Sequence, residues 1–465
     1  MAPGKTPGSS GPAVGRFLAT ALSLAVEGAL ASAEPEGSGT SPSIAPAPSR
    51  VPARETAKAR LLRLGDLEDP PEVHVGERLF LETRFAEFFH RNFDGNVNHP
   101  LLAGDPSVAQ LPTPGGPIAG PFAGKSMSCR NCHLVDDAPG ATTSTYGDYA
   151  RRSAVPERGD GKTRTPRSSP PMVNAFLDRD GFVLHFDGQF ATEEDLIRDT
   201  FTGRNFGWLP DETDVAIAHL ARVIREDDGT DDLAPQYGKV SYRVLLAGTD
   251  PAIAPDSRIP PAYRIDVLKA SDCAVLDAVA ALIAAYLRSL TFSQDENGLY
   301  NGSPYDLFLA KNGLPRSPAP GEAELDDARR LRDAVEGLAA PAHRYPERAD
   351  LGAWNIFANP DFPAPQPALR SLLAPLGDTP EAVLPRTIGL FKTPGLRDLG
   401  QSAPYLHTGR KREIEDVFDF YREIAAKARR GKVRNASPEL ASITLGEDDV
   451  APLAAFLRSL NEDYN

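Results

Sequence analysis

"SMSCRNCHLVDD", residues 126–137, contains the pattern Cys-x-x-Cys-His at Cys129, Cys132 and His133. This is the spacing of c-type haem attachment: each thiol bonds one vinyl group of the porphyrin, and the histidine directly after the second thiol binds the iron. Rival readings need partners the chain lacks. A zinc site takes four ligands, and there is no second cysteine pair. A thioredoxin-like Cys-x-x-Cys needs a βαβ setting, and no strand pattern surrounds the motif. A plain disulfide would leave His133 idle. One covalent haem c is therefore expected, attached through Cys129 and Cys132 with His133 as its proximal ligand.

The rest of the chain suits that chemistry. It has 465 residues, 41% hydrophobic and 25% charged, enough for a packed core. A net charge of -14 excludes a phosphate-backbone partner and leaves room for a basic redox partner. Three cysteines make no disulfide framework. The third, Cys273, lies in "RIDVLKASDCAVLDAVAALIAAYLRSL" (264–290) and reads as a buried helix thiol. At the N-terminus, Lys5 and Arg16 precede an apolar stretch, 17–26, and "ASA" at 31–33. That is an export signal over 1–33, too short to span a membrane. A Pro-, Ser- and Gly-rich linker follows over 34–60. The mature chain is expected to be periplasmic or otherwise exported, with no transmembrane segment.

Two blocks recur in the same order. "ALIAAYLRSL" (281–290) answers "APLAAFLRSL" (451–460), both with helical apolar spacing. Before them, "SSPPMVNAFLDRDGFVLHFDGQFATEEDLIRDTF" (168–201) answers "FKTPGLRDLGQSAPYLHTGRKREIEDVFDFY" (391–421). Ser169 and Pro170 match Thr393 and Pro394, and Asn174 matches Asp398. His185 and Gly188 match His407 and Gly409 with one residue of slip. Met172, matched by Leu396, reads as core. A duplicated helical domain is implied, each copy rich in Pro and Gly turns.

These residues carry a resemblance. "GERLFLETRF" (76–85), the Cys-x-x-Cys-His motif, "SPPMVN" (169–174) and "HFDGQFATEEDL" (185–196) resemble the first domain of bacterial di-haem cytochrome c peroxidases. "FKTPGLRDLGQSAPYLHTG" (391–409) and "IEDVFDFY" (414–421) resemble the second domain of their MauG-like branch. The resemblance implies an all-α fold of two tandem cytochrome c-like helical domains with long loops. These are a haem domain over 61–300, with an insertion at about 205–270, and a second domain over 301–465. It implies a peroxidase-like oxidoreductase, reducing hydrogen peroxide or oxidising a partner, with electrons from a small redox protein or a quinol-linked donor. It also implies a calcium ion between the domains, at Asn174, Ser402 and Pro404.

The chain departs from that pattern in two places. No cysteine follows Cys273, and "AAPAH" (339–343), ending in His343, is the nearest trace of a second motif. The second domain should hold no covalent haem, and Tyr421, where the pattern puts an iron-binding tyrosine, should be a packed aromatic. Around the first haem, the family's distal Trp, Gln and Glu become Phe186, Leu196 and Phe206. None of these can move a proton between peroxide oxygens. His185, Glu193, Glu194 and Arg204 are the nearby substitutes, with Glu194 and His185 the candidate catalytic pair. Met172, His185, Tyr146 and Tyr149 remain for the sixth iron position. His74, His90, His99 and His219 read as surface or turn residues. A haem enzyme, a mono-haem electron-transfer protein without peroxidase activity, and a haem-bearing scaffold all remain open.

Overall fold

The computed structural model describes residues 69–133 without 109, 112–117 and 120–124; 153–316 without 166, 171, 177–183, 186–187 and 191; and 380–461 without 388, 390, 392–394 and 437. The signal and linker segments, Tyr146, Tyr149, Phe186, His343, Thr393 and Pro394 lie outside the described residues.

The chain is helical, as expected. In order come α1 (Pro71–Leu81), α2 (Glu87–Asn92), α3 (Glu193–Thr202), α4 (Thr213–Glu226), α5 (Tyr242–Ala247), α6 (Asp272–Ser289), α7 (Pro304–Lys311), α8 (Pro380–Thr387), α9 (Ile414–Arg429), α10 (Pro438–Ser442) and α11 (Val450–Arg458). The strands among the described residues are β1 (Gln110–Leu111) and β2 (Ile118–Ala119), an antiparallel pair two residues long.

The core is organised by α1 and α6. Ser271 caps α6 by accepting from the Ala274 N–H at 3.3 Å. Val275, Leu276, Val279, Ala280, Leu282, Ile283 and Leu287 are all buried, so α6 runs through the interior. Helix α1 crosses it at Gly76. A Cβ there would overlap the Leu282 carbonyl, so only glycine allows the backbones this close. Cys273 is exposed, contrary to the buried thiol expected from its apolar surroundings. It sits in the first turn, before the apolar face begins at Val275.

The stretch 205–270 is no appended loop. It forms α4 and α5, and Leu220, Val223, Ile224, Tyr242 and Leu246 from it are buried in the main core. A buried charge network ties it to α1. Arg78 reaches Asp231 at 2.6 Å, Asp227 at 3.3 Å and the Val240 carbonyl at 2.6 Å. Arg84 pairs with Glu82 at 2.7 Å and Asp227 at 3.0 Å, while Tyr242 donates to Glu82 at 2.9 Å. Burial alone would raise the Glu82 carboxyl, but the Arg84 charge and hydrogen bonds override it and hold it at about 2. His74 and His219 are also buried, which corrects the surface reading for both. His219 Nε2 donates to the Arg84 carbonyl at 2.8 Å, and its Nδ1 faces His90 Nδ1 at 3.2 Å.

A second, smaller core joins Ile414, Ala454, Leu457 and Leu460 with Tyr305, Leu399, Tyr405, Phe418 and Phe456. Around it, the internal repeat reappears as geometry. Leu184 bridges Phe190, and Tyr405 bridges Lys411. Each bridge closes a turn holding a non-glycine and a glycine at positive φ: His185 (64°) and Gly188 (73°), then Leu406 (68°) and Gly409 (66°). Helix α3 or α9 begins just after each turn. Asn174 (57°) donates its N–H to Leu290, and Asp398 (61°) donates to Leu460, the last residue of each "LRSL" block. The match removes the slip in the sequence alignment: His185 answers Leu406 and not His407.

Replacing Gly76 by Ala should push α1 and α6 apart and cost about 1–3 kcal/mol, the usual penalty of forcing an extra carbon into a packed core. Urea denaturation of the full chain checks it, with Gly395→Ala, where a Cβ meets nothing and the backbone is not left-handed, as the control.

Candidate haem site

The motif itself is a single turn of 3-10 helix over Cys129–Asn131. The Cys132 and His133 N–H groups donate to the Cys129 carbonyl at 3.0 and 2.9 Å. Asn131 locks the turn, its Oδ1 accepting from the Ser128 N–H at 2.6 Å and the Ser128 hydroxyl at 3.1 Å. In 3-10 geometry side chains three apart eclipse, so Cys129 and Cys132 share one face. Both line the same pocket.

His133 lines the same cavity. Its Nδ1 donates to the Pro170 carbonyl at 3.0 Å, which puts the lone pair on Nε2. Burial pushes the ring down to about 4, so it is neutral and able to bind a metal. Burial also raises both thiols, Cys132 to about 11 against a hydrogen bond from Ser153. The other walls are Phe80 of α1, Met172, Leu196, Ile197, Thr200 and Phe201 of α3, Asn205, Phe206, and Ile283 and Leu287 of α6. Paired thiols, a neutral imidazole with an anchored ring and an apolar enclosure fit a covalently held haem.

The candidates drawn from sequence separate here. Cys129, Cys132, His133 and His185 come together around the cavity. So do Leu196 and Phe206, two of the three positions where the resemblance placed distal polar groups. Met172 is buried in the main core, as expected, and also lines the cavity, whereas its sequence counterpart Leu396 is exposed.

Glu194 does not line the cavity. Its carboxylate is held by Arg288 of α6 at 2.9 Å, together with Glu193. The second copy has the same pair, Glu415 with Arg458 at 2.7 Å. An ion pair present in both copies, one of which has no thiols, pins helix to helix. Glu194, one of the two candidate catalytic residues, is thus engaged with Arg288 and stands outside the cavity wall. Arg204 is likewise engaged elsewhere, by Asp160 at 2.7 Å. Of the substitutes considered, His185 alone faces the cavity. Thr200 and Asn205 are polar lining residues that sequence spacing did not flag.

The calcium positions are structured but committed. Asn174 Oδ1 accepts from the Phe292 N–H at 2.9 Å and its amide donates to the Tyr300 hydroxyl at 2.8 Å. Ser402 donates its hydroxyl to the Asp398 carbonyl at 2.9 Å, and Pro404 follows a cis peptide. Among the described residues no cluster of three or more His, Cys, Asp or Glu gathers for a metal ion. Tyr421 packs edge-on against Phe420.

No family model and no curated protein matches the chain. Among solved structures it is similar to a MauG-like protein associated with microbial copper homeostasis, at 17% identity and TM-score 0.39, over 88% of this chain and 95% of that one. It is also similar to the dihaem peroxidase BthA from Burkholderia thailandensis E264, at 16% identity and TM-score 0.45, over 85% of this chain and 86% of that one.

Glu194→Gln and Glu415→Gln should behave alike. Each should change stability by less than about 1 kcal/mol, as exposed ion pairs do, and neither should alter reaction with peroxide. Thermal melts and peroxide turnover of the two variants side by side check this.

Proposed function

We propose that this chain is an exported c-type haem oxidoreductase with one covalent haem, slow towards hydrogen peroxide and able to exchange electrons with a partner. The observation that carries it is His133. Its imidazole follows the thiol pair, lines their cavity and is anchored through Nδ1 to a backbone carbonyl. A haem held there would supply the electron exchange and the site for peroxide.

The chain's own residues then divide the work. Cys129 and Cys132 would hold the group and His133 would bind its iron. The Pro170 carbonyl keeps the His133 ring oriented and makes it a stronger ligand. Leu196, Ile197, Phe201 and Phe206 exclude water from the cavity. For peroxide cleavage a base must take a proton from one oxygen and return it to the other. Only His185, among the described lining residues apart from His133, has an imidazole to do so. The thiols are committed to attachment, and Thr200 spends its hydroxyl proton on the Leu196 carbonyl at 2.8 Å.

Export follows from the N-terminal pattern. The repeated turn, ion pair and helix contact support reading the chain as two tandem copies, and the absence of cysteine after Cys273 supports a second copy without covalent haem. The apolar lining at Leu196 and Phe206 favours a second reading, a mono-haem electron carrier inert to peroxide.

Two measurements test the proposal. Protein matured with haem-attachment machinery should gain one haem by mass and by pyridine haemochrome, about one for the one motif present. Cys129→Ala with Cys132→Ala should gain none. A wild-type mass without haem would end this reading. With a small electron donor, kcat/KM for peroxide should fall below about 10⁴ M⁻¹s⁻¹, the lower edge for efficient enzymes. No turnover at all selects the carrier.

A further inference from the structure

We propose that the basic turn at the end of α9 is a docking surface for an anionic phospholipid membrane. The inference goes beyond the haem reading and does not depend on it.

The first observation is charge without counter-charge. Residues 422–434, "REIAAKARRGKVR", hold six cations and one carboxylate, in a chain whose net charge is -14. Arg422 is paired with Asp419 and Lys427 with Glu423, all within α9. Arg429, Arg430, Lys432 and Arg434 are all exposed. Among the described residues none of these four forms an ion pair. Four unmatched positive charges thus crowd one short surface segment.

The second observation is that neutral backbone groups hold the segment in place. Arg429 donates to the Ala441 and Ile443 carbonyls at 3.3 and 2.6 Å. Arg430 Nε donates to the Ala426 carbonyl at 3.0 Å. Arg434 donates to the Pro385 carbonyl of α8 at 3.3 Å, and Asn435 to the same oxygen at 3.1 Å. Gly431, at φ 64°, and Lys432 close the helix end, their N–H groups donating to the Ala428 and Lys427 carbonyls at 2.8 and 3.0 Å. A carbonyl orients a guanidinium without neutralising it, so the turn presents its full charge on a fixed frame.

Helix electrostatics explains part of this pattern and leaves the rest. Cations are favoured in the last turn of a helix, where the backbone dipole is negative, and the effect fades beyond it. Helix α9 ends at Arg429, so Lys432 and Arg434 lie past its reach. Nor does the dipole account for the missing acids. No carboxylate occurs from 424 to 438, in a chain with 64 acidic and 50 basic residues.

The occupant follows from what the surface lacks. Protein interfaces centre on buried aromatic or aliphatic anchors, and no large hydrophobic side chain between 422 and 443 is exposed. Attachment to a plane of lipid phosphates needs only cations near the surface. Three of the four are arginines, whose planar fork matches phosphate oxygens in pairs. At about 0.1 M salt charges act over roughly 10 Å, so this turn feels such a plane while the acidic remainder is screened from it. Contact by any other, acidic face would be repelled, which gives the bound chain one orientation.

The test is sedimentation of the full exported chain with vesicles of phosphatidylglycerol and phosphatidylethanolamine, against vesicles of phosphatidylcholine alone. At about 0.1 M salt the chain should bind the first and not the second, and about 1 M salt, where charges act over roughly 3 Å, should release it. Arg430→Gln with Lys432→Gln should weaken binding about 25-fold, about fivefold for each cation, with thermal melt and haem content unchanged. Arg430→Lys with Lys432→Arg should bind as the wild type does. So should Lys269→Gln, which removes an exposed cation paired with Asp266 elsewhere on the surface. Equal binding to neutral vesicles, no binding to anionic ones, or an equal loss in Lys269→Gln would each overturn the proposal. Failure with vesicles together with binding to polyglutamate through Arg430 and Lys432 would assign the turn to an acidic protein instead. Release by inorganic phosphate beyond that by chloride at equal ionic strength would reduce it to a site for a single anion. Both results would end the lipid assignment, and neither bears on the haem, whose presence the mass measurement decides.

Discussion

The contact between α1 and α6 at Gly76 is the constraint from which the cavity follows. Because no side chain separates the helices there, the α1 backbone meets the Leu282 carbonyl. One turn further along α1 stands Phe80, and beside Leu282 on α6 stand Ile283 and Leu287, all three in the cavity wall. The spacing of these walls is therefore set by a backbone contact and is as rigid as the helices. The buried Arg78 and Arg84 network then fastens the outer side of α1 to the segment after α4. Its charges sit in the interior, where loss of any one partner would leave another uncompensated. The pocket wall is thereby built from elements that the core itself holds in place.

Much of the fold was legible in the sequence because its signals are local. The thiol pair and its histidine lie within five residues, and the 3-10 turn that aligns them needs only Ser128 and Asn131 nearby. The "LRSL" blocks announced two similar helices. The Asn174 and Asp398 contacts with those blocks show that the likeness extends to backbone hydrogen bonds. What sequence did not carry was partnership across distance. Glu194 looked available because acidic residues near a motif look available, and only Arg288 on α6, answered by Arg458 near Glu415, shows it to be a pin. Cys273 took its expected burial from its neighbours, although one turn of helix separates a solvent face from a core face.

The duplicated architecture also separates scaffold from chemistry. Positive φ values, cross-turn bridges and the Arg–Glu pair occur in both copies and serve the turn itself. The thiol pair belongs to the first copy, where His133 is anchored beside it.

Pro170, whose carbonyl accepts from His133 Nδ1, lies on a strap held both before and after it. Before it, the Ser168 N–H donates to the His407 carbonyl at 2.8 Å, with the His407 ring stacked on Phe391. After it, Asn174 holds Tyr300, over whose ring Arg397 lies at 3.8 Å while binding Asp306. A carbonyl that accepts from an iron-bound imidazole helps set how electron-rich that ligand is, and so the potential at which the iron gives up an electron. Contacts from residues far along the chain thus bear on the backbone carbonyl that orients the His133 ring.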